Sequence, residues 1–262
     1  MIVDGKALAE KIKVELSEKL KAQSLKPRLE VILVGDNVVS QKYVERKKKM
    51  GEEIGVEVVV HELLGDITQA DLEEEIEKLN NNERVNGIIV QLPLSAQIDE
   101  QKILNLVLPD KDVDALSNEA KVLSPTVGAI REILNRNSVS IRGEKVVVVG
   151  NGKLVGRPVS IWLTQEGANV EVIDIETKNP EEILRGADII VSGAGKPNLI
   201  TPDKIKDGAV LIDAGTSESG GQIKGDADPA CADKCSLFTP VPGGVGPLTV
   251  VMLFKNLLEL NR

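Results

Sequence analysis

The sequence predicts an α/β protein built as two lobes, and three observations carry that prediction. Short apolar runs alternate with segments of helical period through most of the 262 residues. The apolar runs are continuous, as in parallel strands covered on both faces. The alternation occurs as two series, with PTVGAIREILNR (125–136) as the helix joining them.

Residues 1–20 alternate charge with apolar side chains at helical spacing and lack the apolar stretch of a signal peptide. LEVILVG (29–35) is the first strand, closed by glycine. A basic helix follows, then the strand VEVVVHEL (56–63) and the helix QADLEEEIEKLN (69–80). GIIVQLPL (87–94) is a third strand, stopped by a polar residue and proline, and KILNLVL (102–108) a further helix. The second series opens at KVVVVG (145–150). It continues through a helix at 154–165, the strand NVEVID (169–174) and a helix near 180–185. The strands ADIIVSGAG (187–195) and AVLIDAG (209–215) follow, and a last helix runs from Leu248 to about Leu260. The expected division is 1–124 plus 248–262 for one domain and 125–247 for the other.

A net charge of -9 argues against a nucleic-acid partner. No apolar run reaches membrane-span length. Cys231 and Cys235 are too few for a disulfide framework, and with the single histidine, His61, distant in sequence they make a poor metal site. No metal is expected, and the cytoplasm is the expected compartment.

Ser40, Tyr43 and Lys47 are spaced by three and four residues on the basic helix, so a hydroxyl, a phenol and an amine share one face. Lys47 lies among Arg46, Lys48 and Lys49, and like charge disfavours its ammonium form. The plain alternative is a solvated basic face. VVVVGNGKLVGRP reads as strand, glycine turn and helix. Gly150, Gly152 and Gly156 form a pattern one residue longer than the G-x-G-x-x-G fingerprint. Such a turn lets backbone N–H groups approach a pyrophosphate at a helix N-terminus, and an ordinary βα turn is the alternative. Asp174 ends the next strand, where a carboxylate accepts from a ribose 2′-hydroxyl and favours NAD. It could equally cap the loop before Thr177. Arg157 and Lys178 could serve a 2′-phosphate, so the cofactor stays open.

SQKYVERK, QLPL (91–94), PDKDVD (109–114), GxxxxVGRP (150–158) and TPVPGGVGP (239–247) occur in that order. Together they resemble the bifunctional methylenetetrahydrofolate dehydrogenase/cyclohydrolase family over nearly the whole chain. The resemblance implies an N-terminal folate-binding lobe and a Rossmann-type dinucleotide lobe. It implies oxidation of 5,10-methylenetetrahydrofolate and hydrolysis of the product, within one-carbon metabolism that feeds purine biosynthesis. It makes Lys47 the catalytic lysine, Gln91 its hydrogen-bonding glutamine and Asp114 the aspartate that holds the pterin. Ser40 matches the motif serine, and Tyr43 packs on the folate. Val90, Leu92 and the loop Pro242, Gly243, Gly244, Val245 and Gly246 complete the substrate side. Gly150, Asn151, Gly152, Val155, Gly156, Arg157, Asp174 and Thr216 fall on the cofactor side. The implied cofactor is NADP, with NAD an alternative, and the implied assembly a homodimer.

Several residues depart from the family pattern. Ala115 stands where glycine is usual, and the loop after it is short. Ser124-Pro125-Thr126-Val127-Gly128 replaces Cys-Thr-Pro-x-Gly, Gly152 replaces a serine, and Ile173-Asp174-Ile175 replaces a His-containing stretch. The first three bear on the folate-cleft wall and the last two on cofactor choice.

The residues agree with the resemblance. Gln91 ends an apolar strand, where open α/β sheets place ligands, although a strand-end polar residue needs no such role. Asp112 and Asp114 suit turn chemistry as well as ligand binding. An amine, an amide and a carboxylate suit a heteroaromatic substrate with an amide-like edge. Two other readings fit parts of the chain: a two-lobe dehydrogenase of a shikimate or amino-acid type, and a catalytically silent nucleotide-binding regulator.

Overall fold

The strand β1, Arg28–Val34, is buried along nearly its whole length, which explains its mostly apolar sequence. In the computed structural model, which describes residues 1–219 and 222–261, β1 is the centre of a parallel sheet of order β2-β1-β3. The partners are β2, Glu57–Leu63, and β3, Gly87–Gln91. Around them in chain order come α1 (Gly5–Ala22), α2 (Val38–Ile54), α3 (Gln69–Asn80) and α4 (Glu100–Leu106). Leu72, Ile76, Leu79, Ile103 and Leu104 pack with Ile32, Ile88 and Val90 into one core.

One residue of β1 breaks the apolar run. Glu30 is fully buried, and its carboxylate meets Arg28 Nε at 2.5 Å and His61 Nε2 at 2.8 Å. His61 Nδ1 lies 3.1 Å from Glu75, so the single histidine is held between two carboxylates.

The second sheet is parallel, of order β10-β7-β6-β4-β5. Its strands are β4 (Lys145–Val149), β5 (Asn169–Ile173), β6 (Ile189–Ser192), β7 (Val210–Asp213) and β10 (Leu237–Phe238). The helices here are α5 (Pro125–Arg136), α6 (Gly156–Gln165) and α7 (Pro180–Arg185). The chain leaves β4 for β5 on one side and then crosses to β6 on the other. The topological switch therefore lies between β4 and β6.

Compact units form from Met1–Ala9 with Thr126–Thr249, and from Glu10–Pro125 with Val250–Arg262. Residues 1–3 join the first of these by pairing with β10. Val3 N donates to Phe238 O at 2.8 Å, and Phe238 N to Met1 O at 2.9 Å.

The boundaries differ from the expectation mainly at the carboxyl ends of strands. β3 stops at Gln91, before a cis Leu92–Pro93 bond, and β6 stops at Ser192, leaving Gly193–Gly195 as loop. The hairpin of β8 (Ser217–Ser219) and β9 (Gln222–Lys224), and β10 itself, were not expected. Strands of two or three residues are too short to show a period. The last helix, α8, spans Gly246–Leu260.

Candidate functional site

Helix α2 begins at Asn37, whose side chain accepts from Val39 N and Ser40 N, both at 3.0 Å. Its buried stripe is Ser40, Val44, Lys47, Gly51 and Ile54. Gly51 allows the close seat, because a Cβ there would lie 2.3 Å from Val58. Ser40 Oγ donates to Leu92 O at 3.3 Å. Ser40 and Lys47 thus turn inward together. Tyr43 stays 46% exposed, with the Arg46 guanidinium 5.5 Å from its ring centroid.

Gln91 lies at the end of β3, level with Leu33 of β1, and Val90 before it is buried. Gln91 Nε2 donates to Leu92 O at 2.8 Å. A carbonyl only accepts, so the amide must present Oε1 to the amine. Lys47 Nζ donates to that oxygen at 3.0 Å.

Asp114 Oδ2 is 4.0 Å from Lys47 Nζ. Its loop is pinned by Asn256 Nδ2, which donates to Val113 O and Leu123 O at 2.9 Å each. Asn256 was not foreseen, although a lone amide within the apolar run LTVVMLFKNLLEL was a visible signal. Ala115 has φ +53°, the left-handed region that glycine enters without strain. Asp112 takes the turn role: its carboxylate accepts from Ser117 N at 2.8 Å and Leu116 N at 3.4 Å.

Burial pushes the Lys47 amine below its ordinary 10.5, with Asp114 partly opposing. The cause differs from the expected one. Arg46, Lys48 and Lys49 point to solvent, while Lys47 is 6% exposed. Burial also raises the Asp114 carboxyl; Lys47 opposes this and Asp112 adds to it. Both partners are driven toward their neutral forms.

In the other unit, Gly150 follows β4 with φ +93°, and a Cβ there would lie 3.1 Å from Ala194 Cα. A Cβ on Gly156 would meet Gly150 O at 1.9 Å, and one on Gly193 would meet Val155 Cγ1 at 2.4 Å. The glycines therefore bring the turn, α6 and the loop after β6 into contact at the switch point. Asn151, Gly152 and Arg157 are exposed there, with nothing within 4 Å of a Cβ on Gly152. Val155 caps α6 without a side-chain hydrogen bond. This open, uncapped turn fits a pyrophosphate. Asp174 is exposed, but its Oδ1 accepts from Glu176 N at 3.0 Å and Thr177 Oγ1 at 3.1 Å, the loop-capping alternative. Thr216 is exposed beside Gly215.

Two carboxylates at this sheet edge were not foreseen as site residues. Asp213, at the end of β7, accepts from Gly215 N at 2.9 Å and Ala227 N at 2.8 Å. Asp226 accepts from Ser192 Oγ at 2.6 Å and from Ala194 N and Lys196 N at 2.7 Å each. Each is 1% exposed. Burial raises Asp213 from 3.8 to about 6.

The loop Pro242–Gly246 belongs to the same unit as these carboxylates. Gly244 N donates to Pro240 O at 2.7 Å, Gly243 has φ +109°, and Val245 is buried. Gly5, at the start of α1, donates its N–H to Gly243 O at 2.9 Å. Cys231 and Cys235 are buried free thiols pushed up to about 12 and about 11. Among the described residues, no group of three or more His, Cys, Asp or Glu could hold a metal ion, and no helix is long and apolar enough to cross a membrane.

Residues 3–114 match the catalytic domain of tetrahydrofolate dehydrogenase/cyclohydrolase, and residues 108–262 match its NAD(P)-binding domain. The chain is 41% identical over 275 aligned residues to the bifunctional protein FolD of Staphylococcus aureus, covering all of this chain and 96% of that protein. The crystal structure of the Campylobacter jejuni bifunctional FolD enzyme superposes with TM-score 0.96 at 39% identity, covering 99% of this chain and 98% of that one. The Trypanosoma brucei FolD enzyme, solved with NADP and an inhibitor, gives 0.91 at 36% identity, covering 99% and 96%. By sequence over its whole length and by fold, the chain belongs to the tetrahydrofolate dehydrogenase/cyclohydrolase family.

Proposed function

We propose that the chain oxidises 5,10-methylenetetrahydrofolate to 5,10-methenyltetrahydrofolate with NAD(P) and hydrolyses the product to 10-formyltetrahydrofolate. The observation that carries this reading is the buried Lys47 amine, held on Gln91 Oε1 with Asp114 beside it, in a chain of this family.

Asp114 orients the pterin by accepting from its ring N–H groups. Tyr43 stacks on the folate, and Ser40, Val90 and Leu92 shape its site; the family resemblance assigns the loop Pro242–Gly246 to the substrate as well. Gly150, Asn151, Gly152, Val155, Gly156, Arg157 and Thr216 hold the dinucleotide, whose nicotinamide supplies the hydride acceptor when bound. Oxidation then needs position rather than a protein nucleophile.

Hydrolysis needs a base. Water oxygen bonds to the methenyl carbon of the cationic substrate and one proton passes to Lys47 Nζ. The second proton goes to N5 as the C–N5 bond breaks, leaving the formyl group on N10. A depressed lysine pKa keeps neutral amine available for this step. The residues ask for no metal.

NADP is the preferred cofactor in this reading. The T. brucei relative was solved with NADP, Arg157 and Lys178 are exposed, and the Asp174 carboxylate is occupied by its own turn. The functional assembly is a cytoplasmic homodimer. Edge strand β5 with exposed Val172, and Ile161 and Ile175 nearby in sequence, offers an unpaired apolar border for a second copy. A shikimate-type dehydrogenase would not need Lys47 on Gln91, and a silent regulator would not need an amine whose pKa burial lowers. The test is growth of the methenylfolate absorbance when protein, methylenetetrahydrofolate and NADP or NAD are mixed, followed by its decay. No change with either cofactor overturns the reading.

A further inference from the structure

Three donors converge on the buried carboxylate of Asp226 within 2.7 Å. A buried anion without such donors is costly, so the arrangement is specific to a carboxylate. An amide carries one acceptor oxygen and would turn an N–H group toward Ala194 N or Lys196 N. The neighbourhood is shaped to admit it. A Cβ on Gly215 would lie 2.1 Å from Asp226 Oδ2, and one on Gly225 would lie 2.2 Å from Asp213 Oδ2. Each aspartate fills the space beside a glycine of the other's loop.

The hydrogen bonds end on backbone that abuts the glycine turn. Ala194 is the residue that a Cβ on Gly150 would strike, and Gly193 is pressed against Val155. Gly215 precedes Thr216. From the reading of this unit as the NAD(P) site, we infer that Asp226 is a positioning residue for the cofactor. It fixes the loop 193–196 beside Gly150 and Gly215–Thr216 through the N–H groups of Ala194 and Lys196. A displacement of about 1 Å in such a loop costs on the order of a hundredfold in a positioned reaction.

Asp226→Asn and Ser192→Ala test this, with fluorescence titration of NADPH and separate assays of the two activities. Ser192→Ala removes one bond to Asp226 and leaves both backbone bonds in place. The expected result is NADPH binding weakened about tenfold in Asp226→Asn and about threefold in Ser192→Ala. The dehydrogenase KM for NADP should rise in parallel, while hydrolysis of supplied methenyltetrahydrofolate stays within twofold of wild type. If Asp226→Asn does not fold, Ser192→Ala decides alone. Wild-type binding with unchanged affinity in the folded variants overturns the positioning role, as does an equal fall of both activities. Absence of NADPH and NADH binding by the wild type would instead remove the cofactor reading beneath it.

Discussion

Gly5 and Gly244 are in contact closely enough to exclude any side chain at position 5. A Cβ there would stand 1.8 Å from Gly244 O and 2.6 Å from Gly243 O. The start of α1 is therefore the floor on which the Pro242–Gly246 loop rests. Gly5→Ala must push that loop away, at about 1–3 kcal/mol of overpacking. The melting temperature should fall by roughly 2–12 °C, and kcat/KM for the folate by at least tenfold. Thermal scans and kinetics identical to wild type would show that the loop is not pinned at this point.

Lys47→Met should remove cyclohydrolase activity by about 10²–10⁴-fold, the usual worth of a general base, while NADPH still binds. Lys47→Arg should be equally inactive, because guanidinium does not supply a neutral amine near neutral pH. The wild-type rate should rise with pH, with its midpoint below the ordinary lysine value because burial lowers Lys47. Full hydrolysis by either variant would falsify the role.

Asp213 makes stability depend on acid in an uncommon sense. Its folded pKa of about 6 lies above the ordinary 3.8, so between these values the folded chain holds the extra proton. Its contribution therefore lowers stability as pH rises from about 4 to about 6, on the order of 3 kcal/mol in all. The difference in unfolding free energy between wild type and Asp213→Asn should shift by that amount, against wild type, between pH 4 and pH 7. Urea titrations across the window measure it, and a flat difference would count against the burial account.

Asp174 sets the cofactor test. A carboxylate ~4 Å from a 2′-phosphate charge would cost about 4 kcal/mol at an effective dielectric near 20. With Oδ1 committed to Glu176 N and Thr177 Oγ1, the expectation is a wild-type preference for NADP. Asp174→Ser should alter the ratio of kcat/KM values by less than threefold. A preference for NAD that the substitution reverses would mean that the carboxylate faces the ribose.

Strands buried on both faces declared themselves in sequence, and β1 and β4 begin within one residue of where their apolar runs do. The α2 face was readable for Ser40 and Lys47, because spacing fixes which side chains turn together. Burial is not readable from spacing, which is why like charge does not account for the Lys47 shift and why Tyr43 shares the helical spacing yet stays exposed. Asp112 and Asp114 were indistinguishable two residues apart. Only the fold shows one bonded to Ser117 N and the other beside an amine. Asp226 was invisible for a related reason: its three donors come from residues about 30 positions earlier.

The unit that carries Lys47 is assembled from distant parts of the chain. It needs Val250 onward, where Phe254 and Leu257 are fully buried and a Cβ on Gly87 would lie 2.7 Å from Leu257. On a ribosome adding ~5–20 residues per second, Gln91 and Asp114 emerge early and then wait while the whole second sheet is made. Until α8 clears the exit tunnel, β1 and α2 lack the apolar partner that closes their core. The fold therefore ties competence for chemistry to synthesis of α8, and a nascent chain stalled before residue 250 would hold its lysine in an unfinished unit.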